Sequence, residues 1–132
     1  MVIKDIIGTG KILILEASMK FGAWGEEVAC RYLQKQGYTI LERNFRCRTG
    51  ELDIVARTGK TLCFVEVKSR KGLGTGYPAE AVTEQKQRHL RSAAEFYLHT
   101  HRLRGIDELR MDVIEVLKLQ EKTYLRHIPS AF

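Results

Sequence analysis

The segment GELDIVARTGKTLCFVEVKSR, residues 50–70, decides the fold. Two runs rich in Val, Ile, Leu and Phe flank Thr58-Gly59-Lys60, the pattern of a β-hairpin. Among those apolar residues stand Asp53, Glu66 and Lys68. Side chains alternate along a strand, so Glu66 and Lys68 share a face with Leu62 and Phe64, while Cys63, Val65 and Val67 line the other. The second run is apolar on both faces until it reaches Glu66, which predicts a central, buried strand. On the first run the same alternation sets Asp53 opposite in face to Leu52, Ile54 and Ala56.

The turn fixes how the charges meet. A two-residue loop is the commonest hairpin connection. A Gly59-Lys60 loop, with Gly first as a type II′ turn requires, sets Asp53 directly across from Glu66. A Thr58-Gly59 loop makes them diagonal neighbours on one face. A loop of odd length separates them unless a bulge restores the match. Opposed side chains stand about 4.5–5.5 Å apart at Cβ, and like charges there destabilise the pair. Half-buried carboxylates also lose hydration, a cost relieved by pairing or by a metal ion. Mg²⁺ suits such a pair, because it takes one or two carboxylates and fills its octahedron with water and phosphate oxygens. Lys68 projects toward the same place, where it would orient a water or stabilise charge developing on a phosphate. A purely structural Asp/Glu/Lys salt bridge at a strand end is the competing reading of the same spacing.

The flanking sequence predicts the rest of the sheet. Residues 22–36 carry an apolar helical stripe (Trp24, Val28, Cys30, Tyr32, Leu33) that Gly37 ends. Residues 38–46 read as a first strand, 51–57 and 61–69 as the hairpin, and 71–78 (KGLGTGYP) as a glycine-rich loop. That loop lacks the third glycine of a dinucleotide fingerprint, so a flexible loop is the better reading. A long helix follows from Ala79 to about His101, then strands at 111–117 and 124–128. A meander leading into a crossover helix predicts an α/β fold with a mixed sheet and helices on its faces.

The chain has 132 residues, 44% hydrophobic and 29% charged, the size and composition of one globular domain rather than a disordered chain. Its net charge is +6. From Arg43 to Lys71, eight basic residues outnumber three acidic ones (Glu51, Asp53, Glu66), a basic field suited to a polyanion such as nucleic acid. Arg43, Arg46, Arg48 and Arg70 are the candidate phosphate contacts there, with Lys86 on the inner flank of the second helix. The three cysteines, Cys30, Cys47 and Cys63, include no CxxC, which disfavours a zinc cage or a disulfide framework and suits free thiols in a reducing cytoplasm. Asp112 reads as structural, and His89, His99, His101 and His127 as surface histidines. Near the start the longest apolar run is Ile12-Leu13-Ile14-Leu15, far short of the roughly 20 residues of a membrane span. Residues 1–18 show no cleavage pattern of a signal peptide and read as a loosely organised extension to a single domain over 19–132, with Met19 an alternative start.

Asp, a dozen residues, then Glu-x-Lys across a hairpin resembles the PD-(D/E)XK nuclease superfamily. More closely, GAWGEEVACRYLQKQGYTILERNFRCRTGELDIVA, FVEVKSR, GYPAEAV with Lys86, and RMDVIEV resemble the YraN family of bacterial proteins, relatives of Holliday-junction resolvases. The match runs over roughly residues 22–117. The resemblance implies a restriction-endonuclease-like three-layer α/β/α fold with a central mixed sheet and core order α-β-β-β-α-β. It implies Asp53, Glu66 and the Val67 carbonyl as ligands of Mg²⁺ or Mn²⁺, Lys68 as the catalytic lysine, and an acidic residue from the first helix. Glu26 matches that acid, with Glu27 its rival, since one residue turns a helix by about 100° and only one of the two can face inward. Leu52 stands where the superfamily has its usual Pro. Gln85 is carried over from a Gln-x-x-x-Tyr helix motif whose tyrosine position is His89 here. The implied activity is a Mg²⁺-dependent endonuclease acting on DNA, with branched or junction DNA as substrate class and a homodimer for paired cuts. The rival is a module on the same fold that holds nucleic acid without cutting it.

Overall fold

In a computed structural model of the chain, residues 2–4, 21–72 and 82–132 are described. The elements are β1 (Val2–Lys4), α1 (Phe21–Lys35), β2 (Thr39–Cys47), β3 (Gly50–Thr58), β4 (Thr61–Lys71), α2 (Glu84–Thr100), β5 (Glu108–Leu119) and β6 (Lys122–Ile128). Strands β2 to β6 form one open mixed sheet, and β1 adds a short antiparallel strand at the β6 edge, giving the order β1-β6-β5-β4-β3-β2. Among the described strands only β4 and β5 run parallel, because α2 crosses between them. The expected α-β-β-β-α-β core is therefore present. The glycine-rich loop and most of the 1–18 extension lie outside the described residues.

The hairpin turns as Gly59-Lys60. Thr58 pairs with Thr61, and the register runs back to Ile54 opposite Val65. Gly59 has φ of +58°, the positive angle that a type II′ turn needs at its first central residue. The register follows from turn chemistry.

Each face of the sheet carries one helix. On α1, Trp24, Val28, Ala29 and Leu33 bury against Ile54, Ala56, Cys63, Val65, Ile114, Val116 and Leu125. On α2, Leu90, Ala93, Ala94 and Tyr97 bury against Leu52, Val55, Leu62, Phe64 and Val113. Alternation along β4 thus separates two cores, and the layers are α/β/α.

Four expectations need correction. The second helix starts at Glu84 and not at Ala79. Thr83, extended at φ −67° and ψ 164°, caps it by accepting from the Lys86 amide at 3.2 Å, and Val82 is buried outside the helix. Strand β5 starts at Glu108, three residues before its apolar run, because it pairs with β4 from Thr61 onward. Leu52 faces α2 while Ile54 and Ala56 face α1, so alternation breaks at Asp53. His127 is not on the surface.

Instead His127 is buried beside Asp112. Its Nε2 lies 2.7 Å from Asp112 Oδ2, and its Nδ1 lies 3.0 Å from the Tyr32 hydroxyl. Arg110 donates to both Asp112 oxygens at 3.2 and 2.9 Å, and the Ser130 amide donates at 3.0 Å. Burial would raise the Asp112 carboxyl, but hydrogen bonds from His127, Arg110 and Ser130 outweigh it and hold the group below its ordinary value. Asp112 is structural, as expected: it ties β5, β6 and the C-terminal turn to α1.

Helix α1 lies unusually close to β4. A Cβ added at Gly25 would stand 1.7 Å from Ser69 Oγ and 2.9 Å from Ser69 Cβ. Gly25→Ala is therefore expected to destabilise the protein by about 1–3 kcal/mol through overpacking, read from the midpoint of urea unfolding. Ser69→Gly in the same chain removes both obstructing atoms and should restore part of the loss.

Candidate active site

The sheet ladders open at Asp53. Toward β4 the pairing stops at Ile54 and Val65, one step short of Asp53 and Glu66. Asp53 Oδ2 instead accepts from the Val67 amide at 2.8 Å. Toward β2 the register passes from Arg43–Ile54 to Phe45–Leu52. The residue between, Asn44, has φ of +53°, a left-handed backbone that Asn tolerates better than most residues. This local break swings Leu52 to the α2 face and leaves the Asp53 carboxylate at the mouth of a cleft.

The cleft, of about 480 Å³, is lined by Gly50, Glu51, Asp53 and Glu66 from the hairpin and by Thr83, Gln85, Lys86, His89 and Leu90 beside them. Its depth depends on Gly50, where a Cβ would meet the His89 carbonyl oxygen at 2.8 Å; glycine lets β3 pass beneath α2. Asp53 and Glu66 both face this space and are hydrogen-bonded to each other.

Glu66 is 7% exposed. Burial pushes its carboxyl up, the hydrogen bond and charge of Asp53 add to that, and Lys86 and Lys68 offset only part, leaving it at about 8. Two lysines reach the pair from different elements. Lys86 Nζ on α2 lies 3.6 Å from Glu66 Oε2. Lys68 on β4 is pushed down by burial and by the neighbouring Lys86. At Lys86 burial is opposed and outweighed by Lys68, Glu66 and Asp53, so its ammonium stays above its ordinary value.

Glu26, not Glu27, turns toward this end of the sheet. Glu27 is taken up by Arg31 at 3.6 Å and Arg43 at 3.3 Å. Glu26 is raised by burial and next by the charge of Asp53. With its amide nitrogen turned inward, Asn44 donates to both Glu26 oxygens, at 3.0 and 3.3 Å. Among the described residues no three His, Cys, Asp or Glu side chains stand close enough together to hold a metal. Asp53 and Glu66 come together; Glu26 stays with Asn44 and reaches Asp53 only through its field. The Val67 amide donates to Asp53. The donor set nevertheless fits Mg²⁺, which needs only one or two carboxylates and keeps its waters, rather than an all-protein cage.

The basic residues disperse. Arg43 is paired with Glu27, and Arg46 with Glu51 at 3.6 Å on the surface. Arg48 is exposed in the β2–β3 turn, and Arg70 is half-buried on β4. Gln85 and Lys86 line the cleft as expected. Thr83 and His89 also line the cleft, and Asn44 holds Glu26 at its edge. The Thr-Glu-Gln-Lys run at 83–86 carried the helix-start signal that places Thr83; nothing in the sequence marks Asn44.

A family model described as "Uncharacterised protein family UPF0102" matches residues 25–116. A UPF0102 protein of Syntrophotalea carbinolica is 47% identical over 114 residues, covering 86% of this chain and 92% of its own. One from Syntrophomonas wolfei is 45% identical over 113 residues (86% and 97%). One from Chlorobaculum parvum is 42% identical over 128 residues (89% and 95%).

The Glu66 carboxyl makes a pH prediction for the metal-free protein. Its folded value of about 8 lies above the ordinary 4.5, so its contribution is intact below that ordinary value and lost as pH rises through the folded one. In chelator, wild type and Glu66→Gln should melt at similar temperatures near pH ~5. Near pH ~8.5 the variant should melt several degrees higher, as followed by circular dichroism.

Proposed function

The chain belongs to the UPF0102 family, the YraN proteins of its sequence resemblance, and from its cleft we propose that it is a Mg²⁺- or Mn²⁺-dependent endonuclease acting on DNA. One observation carries this reading. Two carboxylates from adjacent strands turn into one cleft, with one oxygen fixed by a backbone amide and two lysines beside them. A structural salt bridge needs one lysine and no cleft. This group has two acids forced together where a ligand can enter, a destabilising arrangement that function explains.

Asp53 and Glu66 would hold the ion, with Glu26 nearby to bias the field. Bound there, Mg²⁺ supplies Lewis-acid activation of water and of the scissile phosphate. Lys68, held beside Glu66, positions the attacking water and stabilises charge on the phosphate oxygens. The first turn of α2, with Gln85 and Lys86, faces the same cleft and suits a phosphate. Arg46 at the end of β2 and Arg48 on the turn that follows, beside Gly50 and Glu51, would extend the basic surface along a nucleic-acid backbone. Junction or branched DNA is the proposed substrate class, and a symmetric dimer would supply paired cuts. The three free thiols suit a cytoplasmic setting, and no described helix is long and apolar enough to cross a membrane.

Incubation with Mg²⁺ or Mn²⁺ should nick branched or single-stranded DNA on a denaturing gel. Asp53→Ala should bring nicking to background while gel-shift binding persists. Nicking by the variant at the wild-type rate would mark the activity as a contaminant's.

A further inference from the structure

Lys86 sits at an unfavourable place on its helix. Thr83 caps α2 and accepts from the Lys86 amide, so Lys86 is the third helical residue. That position favours Glu or Gln, which can bond back to the cap, and the positive end of the helix dipole repels a cation there. Helix stability gives no reason for a lysine. Its ammonium instead turns to Glu66, 3.6 Å away, a side chain only 8% exposed. Lys86 itself is 40% exposed, on a long flexible stem, so its ammonium can swing into water at little cost. Glu66 cannot leave, being fixed on a central strand.

We propose that Lys86 is an internal counter-ion of the metal site: it holds the Glu66 carboxylate in the free protein, yields it to the divalent cation, and is thereby released toward the DNA phosphate in the same cleft. The inference rests on the metal-dependent reading above and deepens it. Ammonium and metal compete for one carboxylate, so Lys86 weakens metal binding until a phosphate is present to receive it. Lys68 is less suited to this exchange, because it lies on the same strand as Glu66 and moves with it.

Calorimetric titration of the full chain with Mn²⁺, without DNA, tests this directly. Lys86→Met should bind Mn²⁺ about threefold to tenfold more tightly than wild type, and Lys86→Arg should bind as wild type does. Met is a good helix former at a half-exposed site, and circular dichroism confirms that the variant is folded. Equal or weaker binding by Lys86→Met, with Mn²⁺ uptake by wild type, overturns the counter-ion role and leaves the metal site standing. Absence of uptake by all three chains overturns both.

Discussion

A two-residue turn sets the chemistry of this protein. Gly59 adopts the positive φ that a tight turn needs, and the strands then pair residue for residue back to Ile54 and Val65. That register points Asp53 and Glu66 toward each other, and the ladder stops one step short of them. The strands part, the Val67 amide moves to Asp53, and the freed space becomes a cleft. The carboxylate pair and the end of regular pairing are one event, because opposed carboxylates oppose the closing of the sheet.

Both helices are set by close approaches to this hairpin. Gly25 lets α1 lie against Ser69 on β4, which carries Glu26 to the opened end of the sheet. Gly50 lets β3 run beneath the first turns of α2, which brings Gln85, Lys86 and His89 to the cleft. A side chain at either position would lift a helix away and widen the site. Farther off, the buried Asp112 network with Arg110, His127 and Tyr32 locks β5 and β6 to α1 through fully partnered polar groups. It stabilises the scaffold away from the carboxylates, so the strain of the site is carried by a well-tied sheet.

The electrostatics of the cleft form one linked system. Glu66 is buried and raised, Lys68 is lowered, and Lys86 is raised between them. Lys86 reaches Glu66 from another element, 3.6 Å away.

Much of this was legible in the sequence because it is local. Period-two alternation gave β4 its two faces, Gly37 ended the first helix, and either two-residue turn put Asp53 and Glu66 on one face; the choice of Gly59-Lys60 came from the structure. The reading failed where partners distant in sequence decide. Strand β5 begins at polar Glu108 because β4 already offers a rung there. His127, polar and unremarkable in sequence, is buried because Asp112 and Tyr32 await it. Glu26 and Glu27 are equivalent by composition, and only Arg43 and Arg31 on one side and Asn44 on the other sort them. The sequence by itself determined which acids share a face, since alternation and turn geometry are short-range constraints. Tertiary structure alone decided which lysine reaches them and where the sheet parts, because those depend on how closely separate elements pack.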